Sequence, residues 1–198
     1  KLIGHRGIDQ HVDRADLAAD DCFATRIDTP LHDYIPNTGL SAIRASELGI
    51  RMIEIDLRQT ADGELVVFGD DALDCRTDGT GPVSGKTTEE IRALDAGYGY
   101  TADGGKSFPL RGKGVGFIRP ISDFLRSVPS NSRAMFHFGS NDPKEADMLA
   151  ARLKEFDRDP ATGLDGFFGP PEPVARMKQL YPDVWAFNPD AARQCASD

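Results

Sequence analysis

The stretch LVVFGDDALDCRTDGTG, residues 65–81, decides how this chain is read. Leu65 to Phe68 are four β-formers, which stop abruptly at Gly69-Asp70-Asp71 and give way to a polar loop. In α/β proteins, strand ends and the loops that follow them carry the catalytic groups. Here the first residue past the strand is a glycine, which has no side chain to do chemistry. The stretch is either an active-site edge without its key residue or a tight turn.

Working outward, strands and helices alternate. Leu2-Ile3-Gly4 reads as a short strand. Leu40, Ile43, Glu47 and Leu48 keep helical spacing, with Asn37 or Thr38 as cap. Met52 to Leu57 is a strand, and Ala61-Asp62-Gly63 turns the chain into Leu65 to Phe68. Residues 70 to about 118 are rich in glycine and charge, with one short helix marked by the capping box Thr87 to Glu90; they read as an inserted subdomain. Pro120 opens a helix carrying Ile121, Phe124, Leu125 and Val128, and Ala134 to Phe138 is a strand. Asn141-Asp142-Pro143 opens another helix, Gly166-Phe167-Phe168 is a strand, Pro171 to Tyr181 a helix, and Val184 to Phe187 a sixth strand with no clear helix after it. Repeated strand–helix units imply a parallel sheet with right-handed crossovers, as a barrel or an open doubly wound sheet. A closed eight-stranded barrel takes about 250 residues, so as a barrel the chain is incomplete.

The chain has 198 residues, a length for one domain, with 39% hydrophobic and 28% charged residues as in ordinary globular proteins. A net charge of −9 and a pI near 4.9 argue against nucleic acid or an anionic membrane as the main partner. No apolar run approaches the roughly 20 residues of a membrane span. The abrupt start at Lys1-Leu2-Ile3-Gly4, with no initiator Met, reads as a processed or trimmed product. Cys22, Cys75 and Cys195 form no CxxC pair, so a thiolate zinc site is not expected; three buried thiols and one disulfide are the alternatives.

Three strand ends carry chemistry. Gly4-His5-Arg6-Gly7 places a guanidinium fork and a proton carrier between glycines, which suits an anion, although a histidine in a turn is commonly just a surface residue. In MIEIDLRQT, residues 52–60, Glu54 and Asp56 share one strand face and Ile53, Ile55 and Leu57 the other. Two carboxylates aimed the same way on a buried strand call for a cation, and Mg²⁺ or Ca²⁺ takes such oxygens. A solvated acidic edge and a glycosidase acid pair are the competing readings. In AMFHFGSND, residues 134–142, His137 sits inside an apolar strand, where a histidine is ordinarily a satisfied core residue.

Together these residues resemble the glycerophosphodiester phosphodiesterases, metal-dependent barrels that hydrolyse phosphodiesters. The likeness runs through the opening HRG at His5-Arg6-Gly7, Asn37-Thr38, Glu54-Ile55-Asp56 and, most specifically, residues 65–81. It implies a parallel (β/α) TIM-like barrel over residues 1–198, with an insertion at about 71–118 after the third strand. It also implies that Glu54 and Asp56 ligate a metal, that His5 is an acid/base and that Arg6 grips the phosphate. The family's second histidine falls at Gly69. Its later glutamate ligand and its lysine align with His137, which can still ligate a metal, and Gly139, which cannot replace a lysine. Losing an acid/base is typically worth about 10²–10⁴-fold in rate.

The implied activity is metal-dependent hydrolysis of a small glycerophosphodiester to an alcohol and glycerol 3-phosphate. A phosphodiester- or phospholipid-headgroup-binding protein that has lost turnover is the alternative, and His32 is a candidate replacement acid. In such a barrel the loops holding Cys22 and Cys75 share the C-terminal rim. A disulfide between them implies a periplasmic or secreted protein, the cytoplasm being the alternative, and leaves Cys195 without a partner. Headgroup, metal identity and oligomeric state are not fixed by the sequence.

Overall fold

A computed structural model describes residues 2–12, 21–129 and 132–197. Its strands are β1 (Ile3–His5), β2 (Met52–Gln59), β3 (Leu65–Val67), β4 (Arg133–His137), β5 (Gly166–Phe168) and β6 (Trp185–Phe187). Five are parallel, in the order β1-β2-β4-β5-β6. Helices α1 (Gly39–Glu47), α3 (Ile121–Ser127), α4 (Lys144–Glu155), α6 (Pro171–Leu180) and α7 (Pro189–Ser197) return the chain after successive parallel strands; α2 (Thr88–Arg92) and α5 (Pro160–Gly163) are short. This is an arc of a (β/α) barrel. Among the described residues β1 and β6 are each paired on one side only.

The period of two in β2 sorts its side chains. Ile53, Ile55 and Leu57 are fully buried in the main core with Phe136, Leu149, Leu153 and Phe167, while Glu54, Asp56 and Arg58 fall on the opposite face.

The third strand departs from the expected parallel order: β3 runs antiparallel to the tip of β2, pairing Leu57 with Val67 and Gln59 with Leu65. Residues 60–64 are therefore a hairpin turn above the barrel rim. Period-two alternation is the same in both strand directions, so the pattern could not separate them. β3 is also a seam. Leu65 and Val67 enter the main core, whereas Val66 and Phe68 enter a second buried cluster with Ala24, Leu73, Ile91, Tyr100 and Leu110. This second cluster gives residues 70–118 an interior, and the expected capping box at Thr87 and Glu90 closes on α2 there.

Two local expectations need correction. α1 forms with Thr38 as its cap, but Leu40 and Leu48 are exposed and the buried residues are Ser41, Ala42 and Ala45. The helix lies so close to the β1 loop that a Cβ on Gly7 would overlap Ser41, so only small residues fit that face. A helix, α7, does follow β6. Cys22 and Cys75 are disulfide-bonded, with Cα atoms 5.3 Å apart. The side chain of Cys195 lies outside the described residues.

Candidate metal and phosphate site

The site is built where β1, β2 and β4 run side by side. The register aligns His5 with Glu54 and Asp56 with His137, so three adjacent strands deliver their polar residues to one end of the sheet. Ligand atoms of Glu54, Asp56 and His137 all lie within 4.8 Å of one another.

Asp56 is 1% exposed and heavily bound. Its Oδ1 meets His137 Nδ1 at 2.6 Å. Its Oδ2 accepts from Asn37 Nδ2 at 2.8 Å, and its backbone N–H donates to Asn37 Oδ1 at 3.2 Å. Arg6 Nε stands 2.7 Å from Oδ2, off the hydrogen-bond direction, so that contact is ionic and Nε has no hydrogen-bond partner. Burial works to raise the Asp56 pKa, but the His137 bond, the Arg6 charge and the Asn37 bond outweigh it and hold the carboxyl well below the usual range. Glu54 goes the other way. Burial, and then the Asp56 charge, push it up to about 7 despite its bond from Arg6 N–H at 3.0 Å. The two carboxylates are too close to share the available positive charge.

His5 is half exposed, with Nδ1 3.3 Å from Asp9 Oδ2 and Nε2 3.9 Å from Glu54 Oε2. His137 stacks flat on Phe168, ring centroids 4.4 Å apart. Arg6 adopts a left-handed backbone, φ 56°, held by Asn37 N–H and Ser41 Oγ–H, both donating to its carbonyl. His32 lies apart: its Nδ1 bonds to Gln10 and Tyr34, and none of its contacts reach Asp56 or Glu54.

The two unexpected glycines differ. Phe68 N–H donates to Asp56 O at 3.1 Å, so the hairpin brings the chain back down and sets Gly69 beside Asp56. The three atoms nearest a Cβ at Gly69 all belong to side chains: Asp56 Oδ2 at 2.9 Å, Asn37 Nδ2 at 3.1 Å and Arg6 Cζ at 3.2 Å. Arg6 thus occupies the room that a residue 69 side chain would take. At Gly139 a Cβ would overlap the Leu57 carbonyl oxygen and the Arg58 guanidinium. Arg58 is itself committed, donating to the carbonyls of Leu57, Gly69 and Asp70. Sequence reasoning missed Arg58, although its place two residues beyond Asp56 on the same strand face was the available signal.

The neighbouring Asp70 is held by Arg76 through two bonds at 2.6 and 2.8 Å. Arg76 in turn lies over Phe23, 3.9 Å from the ring centroid. Arg6, Phe23, Arg58, Gly69, Tyr98 and Arg111 line part of a cleft of about 990 Å³ between the barrel end and the insertion. No described helix is long and apolar enough to cross a membrane.

Comparison with known proteins bears on the family and the fold. The model of the glycerophosphoryl diester phosphodiesterase family matches residues 31–157. A glycerophosphodiester phosphodiesterase of Caldanaerobacter subterraneus is 47% identical over 67 residues, covering 33% of this chain and 28% of that protein. The chain thus matches little more than a quarter of that relative's length. The fold is similar to that of a glycerophosphoryl diester phosphodiesterase domain from Mycobacterium tuberculosis, with TM-score 0.69 and 22% identity over 82% of this chain and 58% of that one. It is also similar to a phosphodiesterase from Oleispira antarctica solved with the product sn-glycerol-3-phosphate, with TM-score 0.65 and 18% identity over 92% and 62%. The chain belongs to the glycerophosphoryl diester phosphodiesterase family.

Proposed function

We propose that this chain hydrolyses a small glycerophosphodiester to an alcohol and glycerol 3-phosphate, with Glu54, Asp56 and His137 holding one hard divalent cation, Mg²⁺ or Ca²⁺. The observation that carries the reading is the donor set itself: two carboxylates and an imidazole from adjacent parallel strands, ligand atoms within 4.8 Å, beside a guanidinium. Such a set fits a divalent cation. When bound, the cation neutralises charge on the phosphate and polarises the attacking oxygen. Arg6 binds a phosphate oxygen. His5 moves the proton, its Nδ1 side turned to Asp9, which orients the ring. The cleft toward the insertion seats the leaving alcohol.

The runner-up reading, phosphate binding without turnover, rests on Gly69, which brings no side chain to the position where the resemblance implies a second acid/base histidine. Glycerol 3-phosphate release from glycerophosphocholine and glycerophosphoethanolamine, with and without EDTA, tests the choice. Release abolished by EDTA supports the hydrolase; diester binding with no release supports the alternative. The Cys22–Cys75 disulfide supports an oxidising compartment, periplasmic or secreted.

A further inference from the structure

We propose that Arg6 is an exchangeable internal cation: it rests on Asp56 Oδ2 in the slot left by Gly69, and it must leave that oxygen for a divalent cation to take it. The inference rests on the metal reading of the site.

Both oxygens of Asp56 are taken, Oδ1 by His137 and Oδ2 by Asn37 and Arg6. A cation that takes Oδ2, which already has two partners, has to displace one of them. Asn37 is fixed twice over, through its side-chain oxygen and its amide. His137 belongs to the ligand set. Arg6 is the loosest partner: its 2.7 Å contact lacks hydrogen-bond direction, its Nε is otherwise unsatisfied, and its side chain is long.

The resting position depends on the glycine. A Cβ at residue 69 would stand 2.9 Å from Asp56 Oδ2, 3.1 Å from Asn37 Nδ2 and 3.2 Å from Arg6 Cζ, and of these three groups the guanidinium is the one with room to move outward. The backbone of Arg6 is anchored independently through Glu54, Asn37 and Ser41, so its side chain can change partner while the loop stays in place. A phosphate group offers the partner that competes with Asp56. Phosphate drawing Arg6 away frees Oδ2, so cation and phosphate bind with positive coupling, and the coupling is reciprocal.

Calorimetric titration with Mg²⁺ alone tests this on the parent chain, Arg6→Gln and Gly69→Ala, with near-ultraviolet circular dichroism confirming that each is folded. Mg²⁺ should bind about tenfold more tightly to Arg6→Gln. Gly69→Ala, which leaves the charge unchanged, should also bind it more tightly. Inorganic phosphate should tighten Mg²⁺ binding in the parent chain and do so much less in Arg6→Gln. Equal Mg²⁺ affinity in all three proteins overturns the exchange alone. Tightening in Arg6→Gln without tightening in Gly69→Ala shows a long-range charge effect and also overturns it, as does an undiminished phosphate effect in Arg6→Gln. No Mg²⁺ binding to any of the three overturns the metal reading and this inference together.

Discussion

The carbonyl oxygen of Leu57 occupies the space that a Cβ on Gly139 would need. The tip of β2 leans over the end of β4, and only a glycine permits that approach. A lysine at 139 therefore does not simply restore a phosphate contact. Gly139→Lys is expected to destabilise the fold by about 2 kcal/mol or more, the scale of overpacking against backbone. Urea denaturation measures it; a variant as stable as the parent would show that the β2 tip yields.

Asn37 holds Asp56 by two hydrogen bonds and does so from a left-handed backbone, φ 59°. Asn37→Ala removes both bonds and adds backbone strain, an expected loss of roughly 2–4 kcal/mol. Asn37→Gly keeps the backbone relaxed, so it should lose less. The difference between the two melting curves isolates the strain.

Glu54 should make the metal-free protein sensitive to pH. Its folded pKa is raised to about 7, while the unfolded chain releases the same proton near 4.5. Between these values the folded state binds more protons, so stability falls as pH rises from about 4.5 through 7. The loss is on the order of a few kcal/mol. Denaturation in EDTA at pH 5 and pH 8 should show it, and Glu54→Gln should flatten the difference.

The disulfide closes a separation of 53 residues and ties the segment before Phe23 to the insertion. Cys75→Ala should cost about 4 kcal/mol by loop entropy. Mass spectrometry without reductant should find no free thiol at Cys75.

Gly69→His tests the missing acid. The new ring enters the room now held by the Arg6 side chain, which can swing out because its backbone anchors are separate. Steady-state kinetics on glycerophosphocholine should show kcat raised by about 10²-fold or more, with a smaller change in KM. No change would mean that another group already supplies the proton.

Much of the site is legible in the residue pattern. Alternation in residues 52–58 puts Glu54 and Asp56 on one face, because a pleated strand allows no other arrangement of those side chains. The strand and helix order is readable from apolar period and caps, down to the box at Thr87 and Glu90. The buried face of α1 is not. Leucines mark one stripe, but close packing against Gly7 and Gly4 selects the small residues Ser41, Ala42 and Ala45.

By itself the sequence determined which residues could meet: the HRG tip, the carboxylate pair, and the histidine on the next parallel strand. Tertiary structure alone decided three things. It turned β3 back against β2, since alternation carries no strand direction, and so set Gly69 beside Asp56. It gave the two glycines different surroundings, one facing side chains, Arg6 among them, and the other a backbone carbonyl. And it seated Arg6 on Asp56, because that contact joins residues 50 positions apart and depends on empty space, which no local pattern records.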